Sequence, residues 1–115
     1  MPGSSDANLD ALLRQLRVQY VADSDDRVAE LRDSLARVES GEQPALDELR
    51  RRFHKLAGSG GSYGLPDVTD RSRAGEQAAV GLLQAGAPPG VGAIAALRAH
   101  VEAVAGAFAA AKQAG

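Results

Sequence analysis

The stretch LDELRRRFHKLAGSGGSYG, residues 46–64, decides the fold. Leu46, Leu49, Phe53, Leu56, Gly60 and Tyr63 alternate steps of three and four, the spacing of one face of an α-helix. Directly after His54, within ten residues, come Gly58, Gly60, Gly61 and Gly64. A glycine inside a helix costs about 1 kcal/mol relative to alanine. A helix that tolerates such a cluster beside a histidine needs a reason for it.

Similar rhythms flank this run on both sides. Leu9, Leu12, Leu13, Leu16 and Tyr20 recur at helical spacing. DSDD, residues 23–26, then supplies a cap candidate and acids for a helix N-terminus, and Val28, Leu31, Leu35 and Val38 follow. SGEQP breaks the pattern, and Pro44 suits a first helical turn. Beyond the central run, Leu65-Pro66-Asp67 marks a turn and restart. Val68, Ala79, Leu82 and Leu83 form a weaker stripe, AGAPPG ends it, and Ile94, Leu97, Val101, Val104 and Phe108 make a long final one.

No window alternates as a strand would, and the connections are short, which favours antiparallel neighbours. The expected fold is all-α: an antiparallel up-down-up-down four-helix bundle with an additional short N-terminal helix. Residues 1–115 form one domain, with 1–5 flexible. Main helices of about 15 to 22 residues would be roughly 22 to 33 Å long.

Composition agrees. At 115 residues there is room for a single modest core. Two Phe, two Tyr and no Trp leave that core to Leu, Val and Ala, and Ala and Leu are strong helix formers. A net charge of −2 provides no strong pull toward nucleic acid or a membrane surface. The absence of cysteine excludes disulfides and thiolate metal sites, and fits a reducing compartment. The opening MPGSSDANL lacks the layout of a signal peptide, so a cytoplasmic location is expected.

On the central helix Phe53 faces the core, which turns His54 off the apolar stripe. Arg50 and Arg51 lie one turn before it, Gly58 one turn after, and Gly61 a further turn along. Gly58 and Gly61 would therefore clear a strip beside the imidazole. Gly60 and Gly64 fall on or near the core side, where they permit close packing or a final bend. Position alone does not make an exposed histidine functional, since most are solvated surface residues.

Several chemistries can be set aside. The glycines match neither GxxxxGK[ST] nor a GxGxxG after a strand, so they do not form a phosphate-cradling loop. No HExxH spacing occurs, and His100 lies in another helix, which gives no metal site. GGSYG, residues 60–64, does fit GxSxG around Ser62, but that motif needs a strand before the serine, and here a helix precedes it.

HKLAGSGGSYG, residues 54–64, followed by PDVTDRSRAGE, residues 66–76, resembles the signature of histidine-containing phosphotransfer (HPt) domains. That family is marked by a histidine, a glycine four residues on, another near ten, and a following helix with a Leu-Glu pair. His54, Gly58, Gly64 and Glu76 fall on those marks; Ala57 stands where a lysine is common, and Gly75 where the leucine is usual. The resemblance implies that His54 accepts a phosphoryl group from a receiver-domain aspartyl phosphate and passes it to another receiver. The partner would belong to a response regulator or a hybrid histidine kinase. Mg²⁺ would sit on that partner, with no cofactor or metal on this chain.

Lys55, Arg50 and Arg51 are the candidates to meet the phosphoryl group, with Gly58 and Gly61 as the docking strip and Arg71 or Arg73 as further basic contacts. With no ATP site, the chain would be an intermediate in transfer rather than an autonomous kinase. A monomer is expected, because four such helices can satisfy each other. The rival readings are an HPt-like docking module without phosphotransfer and a structural helical bundle.

Overall fold

A computed structural model describes residues 2–114, with side chains from residue 6 to 114. The expectation for residues 1–5 lies outside the described side chains. The helices are α1 (Pro2–Ala22), α2 (Ser24–Glu39), α3 (Ala45–Ser62), α4 (Pro66–Ala85) and α5 (Val91–Ala114). Helices α2 to α5 form the bundle. Each packs on its chain neighbour, and α5 closes the ring on α2.

The N-terminal helix differs from expectation in length. At 21 residues α1 exceeds the 16 of α2; at its end Asp23 donates its backbone N–H to Gln19, and the chain turns into α2 with only that residue between. Asp23 occupies the N-cap position of α2 without capping it. Its carboxylate accepts from the Gln19 side chain instead, while Asp25 and Asp26 supply the acids of the first turn.

Three glycines end helices in the left-handed conformation: Gly41, Gly64 and, at φ 75° after α4, Gly86. Gly41, at φ 84°, closes α2, with Glu42 N–H bonded to the Arg37 carbonyl. Gly64, at φ 70°, closes α3, with Leu65 N–H reaching the Gly60 carbonyl at 2.8 Å and Gly64 N–H reaching Gly61. Gly41 and Gly64 follow the Schellman pattern, which satisfies carbonyls left over at a helix end. Pro66 then opens α4, where its missing N–H costs nothing.

Phe53, Phe108, Leu31, Leu49, Leu97 and Val101 are among the fully buried side chains at the centre. The α4 stripe runs through Val68, Ser72, Gly75 and Ala79, while Leu83 is exposed. Small residues at 72 and 75 account for the weak pattern in the sequence, and the Phe53 ring lies against Gly75. Helix α5 is long and apolar enough to cross a membrane. Its Leu97, Val101, Val104, Ala107 and Phe108 are nevertheless buried against the bundle.

Three ion pairs fix the antiparallel register of α2 against α5. Asp25 meets Lys112 at 2.7 Å, Arg32 meets Glu102 through two bonds of 2.9 and 2.7 Å, and Glu39 meets Arg98. Their hydrogen bond holds Arg32 above the usual guanidinium range and Glu102 below the usual carboxylate range.

Candidate phosphotransfer site

His54 projects from the middle of α3 with 73% of its side chain exposed. Its Nδ1 lies 2.6 Å from Glu76 Oε2 on α4, and Glu76 itself is only 20% exposed. An ionised carboxylate can only accept, so Nδ1 carries the proton in this pair. The lone pair is then on Nε2, and a neutral imidazole held in that tautomer is a nucleophile.

The close approach of α3 and α4 sets up this pairing. A Cβ added at Gly60 would lie 2.8 Å from Thr69 Oγ1 and 3.0 Å from the Thr69 backbone nitrogen. With no side chain in the way, the Thr69 hydroxyl donates to the Ala57 carbonyl at 3.0 Å. On the other side of His54, a Cβ at Gly75 would meet the Phe53 ring at 2.6 Å. Phe53 therefore fills the space that a leucine at 75 would take. Two side-chain-free contacts thus bracket the histidine and bring Glu76 within reach.

Gly58 and Gly61 are exposed. Nothing lies within 4 Å of a Cβ at Gly58, and only Thr69 Oγ1, at 3.6 Å, approaches one at Gly61. The glycine cluster thus does three things: Gly60 seats α4, Gly64 turns the chain, and Gly58 with Gly61 keeps the surface beside His54 bare.

The basic residues divide. Arg50 and Arg51 share the carboxylate of Asp47, at 2.9 and 3.1 Å, one turn before His54. Lys55 lines a groove with Tyr20, Asp26, Glu30 and Arg52, on the side of α3 that faces α2. Arg71 bonds the Ala103 carbonyl on α5. Arg73 is exposed and makes no ion pair among the described residues; it sits one turn before Glu76 on α4. His100 is half-buried in α5. Ser62, in the last turn of α3, donates to the Gly58 carbonyl, so GGSYG has none of the strand-to-helix geometry of a nucleophile elbow.

The role of Glu76 as the histidine's hydrogen-bond partner was not apparent from spacing, because 22 residues and a turn separate the two. Its place on the acidic family mark was the one signal available.

Residues 15–107 match the family described as Hpt domain, well over half of the chain. The chain belongs to the Hpt domain family. No curated protein and no solved structure matches it. Hpt domains are histidine phosphotransfer modules of phosphorelays and interact with receiver domains. The all-helical architecture of this Hpt domain is that of the family.

Proposed function

We propose that His54 is the phosphoacceptor of this Hpt domain, taking a phosphoryl group from a receiver-domain aspartyl phosphate and passing it to a second receiver. The observation that carries the reading is the His54–Glu76 pair, with Nδ1 engaged at 2.6 Å and the ring exposed to the outside of the bundle. Nε2 donates its lone pair to phosphorus, the bond from phosphorus to the aspartyl oxygen breaks, and the aspartate leaves as a carboxylate. The imidazole thereby gains positive charge, which the Glu76 carboxylate offsets across the Nδ1–H bond. Return transfer reverses these steps on another aspartate.

Positioning carries most of such a reaction, because the attacking and leaving groups must be in line. The bare surface at Gly58 and Gly61 supports close approach of a receiver. Arg50 and Arg51, two charges sharing one carboxylate, leave net positive charge beside His54 for an acidic receiver pocket. Lys55 belongs to the same proposal as a contact at the α2 edge of the docking face. Mg²⁺ on the receiver and a cytoplasmic setting complete it.

Intact-protein mass after incubation with a phosphorylated receiver and Mg²⁺ is the test. A gain of about 80 Da, the mass of one phosphoryl group, is expected in the wild type and lost on acid treatment. The His54→Gln variant should show none. Binding of several receivers without any mass gain would leave a docking module in place of a phosphotransfer protein.

A further inference from the structure

From Asp6 to Gln19 every residue of α1 is exposed, including large apolar side chains. Leu9, Leu12, Leu13 and Leu16 are 53, 50, 53 and 45% exposed and form one stripe that runs into the buried Tyr20. The molecule is 60 Å long, although its longest helix, of 24 residues, spans only about 36 Å. Its N-terminal helix therefore projects beyond the bundle. A single projecting helix of this length is marginal in water unless its apolar face is covered.

Charges beside the stripe indicate what covers it. On a helical projection, Asp6, Asp10, Arg14 and Arg17 all fall on one flank, acids toward the N-terminus and arginines toward the C-terminus. Asn8, Gln15 and Gln19 on the other flank are neutral. In an antiparallel helix pair each flank faces the same flank of the other helix, so the charged flank meets its own reverse. A two-fold axis near residue 12 sets Asp10 against the second copy's Arg14 and Asp6 against its Arg17. The same axis sets Leu9 against the second copy's Leu16. A parallel pair would set charged against neutral flank and crowd both bundles at one end. With two acids and two arginines the flank also lacks the cationic bias of a membrane-surface helix.

We propose that α1 is a self-association helix, pairing antiparallel with α1 of a second copy, so that two bundles sit at opposite ends of a helical bridge. This replaces the monomer expected from four mutually satisfied helices, and it stands independently of the phosphotransfer reading.

Sedimentation equilibrium of the full chain tests it. The wild type should shift reversibly with concentration from 11.8 kDa to twice that mass. Leu12→Asp with Leu16→Asp should hold the chain monomeric with the thermal unfolding of the bundle retained. Asp10→Arg and Arg14→Asp should each weaken the dimer, and together restore it. Because the chain has no cysteine, Leu12→Cys alone should oxidise to a disulfide-linked dimer. Leu9→Cys should link only when mixed with Leu16→Cys. A wild type monomeric up to about 0.1 mM, whether or not it co-sediments with phosphatidylglycerol vesicles, would overturn the proposal. So would a dimer indifferent to the aspartate substitutions, or self-linking of Leu9→Cys as ready as that of Leu12→Cys.

Discussion

Between α3 and α4, Gly60 and Gly75 let backbone and ring come into contact, and the one ionisable pair across the seam among the described residues is His54 with Glu76. Between α2 and α5, on the opposite side of the ring, three pairs of long charged side chains bridge an exposed surface. The first seam is distinguished by shape, and the second carries, over its buried apolar contacts, a surface bridged by charge. Shape tolerates no added methyl but fixes a carboxylate beside an imidazole. Charge in water is forgiving and contributes little per pair. The proposed chemistry sits on the seam that cannot shift.

The sharpest way to break that contrast is at Phe53 and Gly75. Phe53→Ala should cost about 3–5 kcal/mol, as a fully buried ring is lost. Gly75→Ala should cost about 1–3 kcal/mol, because its methyl would press on that ring. The double variant should cost less than the sum, the truncated ring leaving room for the methyl. Urea denaturation of the four proteins measures this, and strict additivity would mean that Gly75 is not shaped by Phe53.

Glu76→Gln probes what the tight seam is for. An amide can turn its NH₂ toward the ring and favour the other tautomer, so a fold of unchanged stability should transfer phosphate about 10- to 100-fold more slowly, the size of effect seen when a carboxylate orienting a metal-bound imidazole is lost. Glu76→Asp should fall between the two if reach to Nδ1 is what matters. Rates from rapid-quench transfer, set beside the unfolding midpoints, separate positioning from folding. Equal rates for all three proteins would remove Glu76 from the mechanism.

Legibility in the sequence follows the same division. The helices could be read from Leu, Val and Phe stripes because burial imposes a period, and α3 is the plainest case. The α4 stripe was faint because its core positions 72 and 75 are serine and glycine, chosen for what they leave out. The extent of α1 was underestimated for a different reason: its stripe reaches the core only at Tyr20, and nothing in the period tells a covered stripe from a bare one. His54 stood out in the sequence because a motif surrounds it. That Lys55 turns toward α2 while Arg50 and Arg51 share Asp47 depends on which neighbours each side chain meets, and spacing does not carry that information.

Gly58 separates stability from function most cleanly. It lies in a helix interior with no neighbour for its missing side chain. Gly58→Ala should raise stability by up to about 1 kcal/mol through helix propensity alone. Gly58→Leu should fold as well as Gly58→Ala and yet slow transfer from a receiver, because its side chain stands in the docking strip. Faster or unchanged transfer in the leucine variant would mean that the receiver does not dock there.

The smallest effect belongs to the charged seam. Glu102 is held below its ordinary range chiefly by the hydrogen bond from Arg32, then by that guanidinium's charge, with burial opposing both. A carboxylate with a depressed folded value contributes stability at pH above its unfolded value, and that contribution disappears as pH falls through the folded one. Both partners are about half exposed, so Glu102→Gln should cost no more than about 1 kcal/mol at neutral pH. The gap between wild type and variant should close on acidification below the ordinary glutamate range, and added salt should narrow it at pH 7. A gap that persisted at acid pH would show Glu102 acting through packing rather than charge, and the two seams would then differ less than their geometry implies.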